Sequence, residues 1–406
     1  MLPKTEGEMR SYLGSMMKDP GVLSLMAYIR DNHSGTVDEQ CEIAGIEAPP
    51  LNEEARAADF AARMSESGLL QARVDEHGNA LALIPGTGRH GDVLIEAHLD
   101  TVFPLGSVKQ VIRTGERIEA PGICDNSRGL AALLCIARGL QHAGISPKKD
   151  ITMAGTSGEE GIGDLKGMKG LFSKDCGNYD YSISLDGHGV GHFVFDAAGS
   201  RRYEVSFDAP GGHSWTDFGM PSAVHAMGRA ISLISGISIA DGGPKTTYNV
   251  GLASGGTSVN AIAQHASITL DLRSESPEAL DELEARVFES IERACEAEGT
   301  DSPRIADVKA SFRKIGDRPA GRQATDSPVI IAAKVSSEIM GLRFDKAGPS
   351  STNANIPISC SVPCLCMGAG GEGGGIHTTD EWFDPSDGWK GIQQAALLLL
   401  ACAGLS

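Results

Sequence analysis

Two adjacent glutamates, Glu159 and Glu160, stand in a glycine-rich turn that follows the apolar run 151–154. Neighbouring side chains on an extended or turning backbone point in different directions, so one carboxylate can bind a cation while the other faces a reacting water. Metal-assisted hydrolysis needs this pairing, because a Lewis acid and a general base act on the same water. An isolated pair of this kind is more often an acidic surface turn, since charged residues are mostly exposed. The interpretation therefore depends on the rest of the chain.

Other side chains of metal-binding type lie at comparable points. His98 and Asp100 come at the end of an apolar run, and because they are two residues apart on an extended chain they share a face. Asp125 precedes a helix rich in Leu and Ala, where an aspartate is also a common N-cap. Asp186 follows the strand-like run 181–185, and His377 follows a run of glycines.

Together these positions supply two imidazoles and three carboxylates, from His98, Asp125, Glu160, Asp186 and His377. Such a set is enough for two divalent cations that share one carboxylate, and mixed nitrogen and oxygen ligands suit Zn2+, Co2+ or Mn2+ rather than calcium. Asp100 would hold the far nitrogen of His98 and fix its tautomer. Glu159 would be the general base.

The elements that must carry these side chains alternate between strands and helices. Apolar runs predict four strands, at 81–84, 93–95, 151–154 and 181–185. Strands that alternate with helices imply a largely parallel sheet covered on both faces, with binding sites at the carboxyl ends of the strands. We therefore predict an α/β fold whose mixed, mostly parallel sheet, flanked by helices, gathers the site residues.

The pattern changes near Gly199, where strands of alternating hydrophobicity surround two amphipathic helices. Their order, strand–helix–strand–strand–helix–strand, is that of a split βαβ unit. We predict an inserted α+β, ferredoxin-like domain at 199–314, and a catalytic domain formed by residues 1–198 and 315–406.

Composition excludes several classes of function. A net charge of −18 disfavours nucleic acid as a partner, because an acidic surface repels phosphates. We expect no membrane association, because no apolar stretch approaches the ~20 residues of a spanning helix. The nine cysteines lack disulfide-framework spacing and no signal peptide is evident, so we expect reduced thiols and a cytoplasmic protein. Cys360, Cys364 and Cys366 form a cluster that we interpret as small buried residues rather than a metal site.

The ordered motifs resemble the M20 family of metallopeptidases, which includes tripeptidases, dipeptidases, carboxypeptidases and N-acyl amino acid deacylases. His98-Leu-Asp100 is similar to the family's His-x-Asp motif, and Glu159-Glu160 to its Glu-Glu pair. The resemblance implies a binuclear zinc exopeptidase fold and a cis peptide after Asp125. It also implies two ligand sets that share Asp125, one completed by His98 and Asp186 and the other by Glu160 and His377.

The inserted domain resembles the lid domain of that family, through which its members often dimerise. By this resemblance His213, in Gly-Gly-His-Ser, reaches the substrate carbonyl, in dimers often that of the partner subunit. Asn260 and Arg273 resemble substrate-binding residues, although Arg273 also fits an ordinary salt bridge on a strand. The family's late Gly-Thr-Asp motif appears here with Asn353 in place of the aspartate, so an acidic group is missing.

These observations predict a metal-dependent hydrolase, with two divalent metal ions, most simply Zn2+, that cleaves the amide bond of short peptides. Asp186, where deacylases and carboxypeptidases of the family more often have glutamate, tilts the resemblance toward aminopeptidases and dipeptidases. N-acyl amino acid deacylation or carboxypeptidase activity is the alternative within the family. A metal-holding scaffold that binds peptides without hydrolysing them is the alternative from another class. The resemblance also implies a homodimer formed through the lid domain.

Overall fold

The structure is a computed structural model that describes residues 1–88, 91–108, 110–173, 177 and 179–406. It packs as two compact units, one formed by residues 1–197 with 322–406 and the other by residues 198–321. The first unit is built around an eight-stranded sheet. In spatial order its strands are Leu70–Val74, Ala80–Ile84, Asp150–Thr156, Asp92–His98, Tyr179–Leu185, Cys364–Met367, His192–Val194 and Asp345–Lys346.

The central strands of this sheet run parallel, and they are the ones that lead into the site. The strand Asp92–His98 pairs in parallel with Asp150–Thr156 on one side and with Tyr179–Leu185 on the other. Antiparallel strands join the sheet on both sides of this centre, so the sheet is mixed as predicted. The central strands are buried along most of their length, with residues such as Val93, Ile95 and Ile183 inaccessible, which reflects their position between two helical layers.

Helices flank this sheet, and the last of them lies in the core. The helices of the first unit are Glu6–Met16, Pro20–Asp31, His33–Ala44, Glu54–Glu66, Ser127–His142, Lys166–Leu171, Pro328–Met340, Asn355–Ser359 and Trp389–Ala403, with a 3-10 turn at Gly161–Gly163. Most of the side chains of Trp389–Ala403 are buried because its sequence is apolar on nearly all sides. It packs in one core with residues such as Ile95 and Leu133.

A small four-stranded sheet in the same unit joins two distant loops. Its strands are Glu372–Gly374, Trp382–Asp384, Arg117–Glu119 and Ile112–Thr114. Part of the glycine-rich run 368–375 is a strand, Glu372–Gly374. Glycine propensity alone disfavours a strand, but pairing with Trp382–Asp384 fixes these residues in an extended form.

The second unit is an antiparallel sheet with two helices. In spatial order its strands are Thr246–Gly255, His265–Ser274, Gly199–Asp208 and Lys309–Arg318. The helices Ala223–Ser235 and Pro277–Asp301 share a core with alternate side chains of the central strands, such as Val205 and Leu270. This order of strands and helices is the predicted ferredoxin-like one. A two-residue pairing of Gly212–His213 with Ala261–Ile262 links two of its loops.

None of the described helices combines the length and the apolar character that crossing a bilayer requires. The cysteine cluster predicted to be structural contains buried Cys364 and Cys366 and the partly exposed Cys360, and all three are free thiols. No cysteine takes part in a group of potential metal ligands in the described part of the chain.

Candidate metal centre

His98 is the last residue of a central parallel strand, and its imidazole is almost fully buried. Its Nδ1 lies 2.9 Å from the main-chain oxygen of Asp100. Because a carbonyl oxygen can only accept, Nδ1 carries the proton in a neutral ring and Nε2 keeps a lone pair. That Nε2 lies 2.8 Å from Oδ1 of Asp125. The ring is therefore oriented with its ligating nitrogen toward the acidic side chains.

Asp125 lies in the loop before the helix Ser127–His142, and the peptide bond that follows it is cis, as the resemblance implied. Asn126, rather than Asp125, caps this helix, since its side chain accepts from the N–H of Gly129. The carboxylate of Asp125 is therefore available for another role. Its Oδ1 faces His98, and its Oδ2 lies 3.1 Å from Nε2 of His377. Each of its oxygens thus faces a different imidazole.

His377 follows the glycine-rich strand and adopts a left-handed backbone with φ of 64°. Its Nε2 also lies 2.8 Å from Oε1 of Glu160, which starts the 3-10 turn after the strand Asp150–Thr156. A non-glycine residue rarely adopts the left-handed backbone conformation of His377, and the residues that do so concentrate at functional sites. The side chain of His377 is 52% exposed, whereas that of His98 is 2% exposed. The two imidazoles therefore approach Asp125 from a solvent-facing and a buried side.

The ligand atoms of these residues form two compact groups. His98, Asp125 and Asp186 make one group, and Asp125, Glu160 and His377 make the other, with the atoms of each group all within 4.8 Å of one another. Asp186 directly follows the central strand Tyr179–Leu185 and contributes Oδ1, 3.9 Å from Nε2 of His98. The five residues singled out in the sequence thus come together, and Asp125 belongs to both groups.

The electrostatics of the cluster show strong coupling between its members. Burial, reinforced by the charge of Asp125, raises the pKa of Asp186 to about 7. Hydrogen bonds to Asp125 and Glu160 raise the pKa of His377 to about 10. Burial opposes the charged form of His98, but the carboxylates of Asp100 and Asp125 outweigh it and raise its pKa well above the ordinary value. Carboxylates gathered this closely in a buried place favour positive charge beside them.

The donor set fits two divalent cations. Each group offers one imidazole nitrogen, one carboxylate of its own and one oxygen of the shared Asp125. Mixed nitrogen and oxygen donors are those of zinc, cobalt and manganese sites, and three protein ligands per cation leave a position open. The tautomer of His98 fixed by its main-chain partner is the one that a ligand needs.

Asp100 contacts both His98 and the glutamate turn. Its Oδ1 lies 3.6 Å from Nδ1 of His98, within ion-pair distance, while its main-chain oxygen lies nearer to that nitrogen, at 2.9 Å. The fully buried carboxylate also accepts the N–H groups of Glu159 and Glu160, at 2.9 and 2.7 Å. Asp100 therefore fixes the glutamate turn.

Glu159 is buried and lies beside one member of each group, His98 and Glu160. One of its carboxylate oxygens, a nitrogen of His98 and an oxygen of Glu160 lie within 4.8 Å of one another. A second buried carboxylate, Glu53, accepts the N–H of Gly158 at 3.0 Å, immediately before this turn. Three successive main-chain N–H groups of the turn are thus held by carboxylates, which fixes where the side chain of Glu159 begins.

Sequence reasoning missed three buried carboxylates around the site: Glu53, Glu96 and Glu381. Glu96 shares a strand with His98, and its Oε2 accepts from Asn353 and Thr156 at 2.7 and 2.8 Å. A signal existed in the sequence, because Glu96 interrupts an otherwise apolar strand and charged residues are rarely buried unless paired. Glu53 and Glu381 carry no such signal, since both lie outside apolar runs.

The residues predicted to bind substrate lie in the second unit. His213 and Asn260 are close to each other, because His213 pairs with Ala261 and the N–H of Ser214 donates to the main-chain oxygen of Asn260 at 3.0 Å. Arg273 lies near the other end of the strand His265–Ser274, and its Nε donates to Asp271 at 2.7 Å. The guanidinium is about half exposed, so this pair leaves part of it accessible.

The family and the fold are established by comparison with known proteins. The profile of peptidase family M20/M25/M40 matches residues 94–401. The uncharacterised protein YqjE of Bacillus subtilis (strain 168) is 24% identical over 362 residues, which cover 86% of this chain and 93% of YqjE. Aminopeptidase PepT from Bacillus cereus has the same fold, with a TM-score of 0.73, 21% identity, and coverage of 92% of this chain and 99% of PepT. Bacillus subtilis YxeP, a dinuclear metal-binding M20 peptidase, has a TM-score of 0.68 and 14% identity, with coverage of 92% and 99%.

Proposed function

The chain belongs to peptidase family M20/M25/M40 and is a metal-dependent peptide hydrolase, and from that premise we propose that it cleaves short peptides with a free N-terminus. The observation that carries the proposal is the double use of Asp125, whose two oxygens face two imidazoles that each belong to a separate ligand group. A carboxylate shared in this way is the arrangement that a pair of cations requires.

We assign the metal ligands to the two groups described above. His98, Asp125 and Asp186 hold one cation, and Asp125, Glu160 and His377 hold the other. We propose Zn2+ as the native ion, because histidine and carboxylate donors with three protein ligands suit a catalytic zinc, while Co2+ and Mn2+ suit the same donors. Two cations bound there polarise the scissile carbonyl and lower the pKa of a water.

Glu159 is the proposed general base. It follows Gly158 in a turn held by two buried carboxylates, so its side chain starts from a fixed main chain next to Glu160. Its carboxylate accepts the proton of the attacking water and passes it to the leaving amine, as one group can serve as base and then as acid. Asp100 contributes by holding the turn.

His213 is the proposed donor to the carbonyl oxygen of the substrate. Its Nδ1 accepts from the N–H groups of Trp215 and Thr216, at 3.2 and 3.4 Å. The neutral ring therefore carries its proton on Nε2, the tautomer that can donate to an oxygen on which negative charge develops.

The geometry of the second unit supports the proposal of a shared active site in a homodimer. Arg273 lies eight positions after His265 on an extended strand, a span of about 26 Å at ~3.3 Å per residue. Asn260 and His213 lie at the His265 end, so one copy of this unit cannot bring them and Arg273 to one short substrate. Two copies of the unit can, with one copy supplying His213 and Asn260 and the other supplying Arg273. Thr246–Gly255, one of the two edge strands of this sheet, offers an edge for such an association, with Leu252 exposed on it.

Two alternatives remain distinct from this proposal. N-acyl amino acid deacylation would use the same centre on a substrate without a free amino group, and Arg273 would suit its carboxylate. A metal-holding scaffold without hydrolysis is disfavoured by the buried turn that fixes Glu159 beside the ligands. We propose a cytoplasmic location, because the nine cysteines lack disulfide-framework spacing.

The proposed function is tested by Glu159→Ala with Glu66→Ala as a control at an exposed helical position. Loss of a general base lowers kcat by about 10²–10⁴-fold. We expect that loss with di- and tripeptides, together with two bound metal ions per chain, whereas the control keeps both activity and metal. Wild-type activity in Glu159→Ala would contradict the assignment of the base. Hydrolysis of N-acyl amino acids, but not of peptides, by the wild type would favour deacylation.

A further inference from the structure

Glu381 is a buried glutamate that belongs to neither ligand group. Its side chain is inaccessible to solvent, and it follows the ligand His377 by four residues. Its carboxylate accepts three main-chain N–H groups of one loop. Oε1 accepts from Cys124 at 2.7 Å and from Asp125 at 3.0 Å, and Oε2 accepts from Gly122 at 2.9 Å.

These bonds connect the segment of His377 to the loop of Asp125. The main-chain oxygen of Glu381 also accepts the N–H of Ala120 at 3.1 Å. The next residues, Trp382–Asp384, pair with the strand Arg117–Glu119 just ahead of that loop. Glu381 therefore contacts the Asp125 loop through both its side chain and its main chain, and the polypeptide leading back to His377 is short.

We propose that Glu381 is a positioning residue that fixes Asp125 relative to His377, so that the shared carboxylate can serve both cations. This inference rests on the proposed function, because it assigns to Glu381 the geometry of the ligands proposed there. Asp125 is the ligand on which both cations depend, so a displacement of its loop would affect both. A hydrogen-bonded outer partner of a ligand normally changes metal affinity by about 10–100-fold when it is replaced.

The use of both oxygens explains why a carboxylate is needed. A glutamine in the same place has a carboxamide, with one oxygen that accepts and one NH2 group that only donates. If its oxygen keeps the bonds to Cys124 and Asp125, its NH2 meets the N–H of Gly122, and two donors face each other. A buried donor without an acceptor is unfavourable, so the loop must shift. If Glu381 were needed only to fill space, the protein would tolerate Glu381→Gln, because the two side chains have the same shape and size.

The test compares wild type, Glu381→Gln, Glu381→Asp and a matched control, Glu39→Gln. Glu39 lies in the same unit and is also buried, but its oxygens accept from the guanidinium of Arg138, both at 2.8 Å. We would measure Co2+ affinity with a competing chelator, thermal unfolding of the metal-free chain, and peptidase activity as a function of Co2+ concentration.

We expect Glu381→Gln to bind Co2+ about 10–100-fold more weakly and to recover activity as Co2+ is raised, with Glu381→Asp between it and wild type. Glu39→Gln should lower the melting temperature and leave Co2+ affinity unchanged. Wild-type Co2+ affinity in Glu381→Gln would overturn the inference, as would an equal loss of affinity in Glu39→Gln. If Glu381→Gln does not fold, wild-type affinity in Glu381→Asp would overturn it. A wild-type chain that binds no Co2+ would instead refute the proposed function itself.

Discussion

Replacing Asp100 with asparagine should destabilise the glutamate turn more than it disturbs the orientation of His98, a proposed ligand. The nearer partner of His98 is the main-chain oxygen of residue 100, which the substitution does not remove. The carboxylate, in contrast, accepts the N–H of Glu159 through Oδ1 and that of Glu160 through Oδ2. Asparagine offers an oxygen to one of them and an NH2 to the other, so one bond is lost and the other becomes neutral.

The magnitude follows from these two bonds. A hydrogen bond to a charged group contributes about 1.5–3 kcal/mol and a neutral one about 0.5–1.5 kcal/mol. Asp100→Asn loses one hydrogen bond to a charged group and converts the other into a neutral one. Because Asp100 is fully buried, water cannot replace the lost acceptor, and the free energy of unfolding falls by about 3 kcal/mol. If the same free energy opposes the active arrangement of the turn, kcat falls by about 100-fold.

Asp19 offers a matched control for this substitution. It caps the helix Pro20–Asp31, and a single oxygen, Oδ1, accepts from both Gly21 and Val22, at 2.8 and 3.1 Å. Asparagine keeps that oxygen and is an equally good N-cap, so Asp19→Asn should change the free energy of unfolding by less than ~1 kcal/mol. Asp100 accepts hydrogen bonds through both carboxylate oxygens, whereas Asp19 accepts through one, so only the substitution at Asp100 removes an acceptor that is in use.

Chemical denaturation, steady-state kinetics and a metal count on both variants decide the question. We expect Asp100→Asn to keep a cation in the His98 group while kcat falls and the unfolding midpoint drops. If kcat stays within about twofold of wild type, the turn is held by something else. If the cation of the His98 group is lost before kcat changes at saturating metal, the carboxylate of Asp100 acts on His98, as the sequence suggested.

Two further predictions concern pH and assembly. Because the pKa of His377 is raised to about 10, its Nε2 is protonated near neutral pH without a cation, and binding must displace that proton. Co2+ affinity should therefore fall as pH falls, by about tenfold per pH unit for each proton displaced, and a chelator competition at pH 6, 7 and 8 checks the sign. Mixing inactive Glu159→Ala and His213→Ala chains after reversible dissociation should restore about a quarter of wild-type activity if His213 serves the partner's site, because half of the dimers are mixed and each has one intact site. If His213 serves its own chain, the mixture stays inactive.

The sequence was informative where chemistry and periodicity coincide. Strands were predictable because buried parallel strands are rich in apolar residues, and several of the proposed ligands lie where those strands end. His98 and Asp186 each terminate or follow such a strand, so a common edge of the sheet brings them together. His377 has no such apolar strand to mark its position, because the strand before it is made of glycine-rich sequence that no propensity favours.

The supporting carboxylates were less predictable, because their partners are main-chain N–H groups. A main-chain donor exists at every residue except proline, so no sequence pattern marks the ones that Glu53 or Glu381 will meet. The bond from Glu53 to Gly158 spans 105 residues, and those from Glu381 to the Asp125 loop span more than 250. Only the fold decides such pairings.

Asn353 shows how a departure from a family motif can be balanced elsewhere. The sequence suggested a missing acidic group at this position. The structure places Asn353 in the interior, where its Nδ2 donates to Glu96 at 2.7 Å and to Thr156 at 2.8 Å. An aspartate at 353 would set two carboxylates against each other, and burial already raises the pKa of Glu96. The amide at 353 therefore complements the acid at 96, and the two side chains form one hydrogen-bonded unit. Because Asn353 is buried, its departure from the family's aspartate bears on the interior hydrogen bonds to Glu96 and Thr156 rather than on substrate contact.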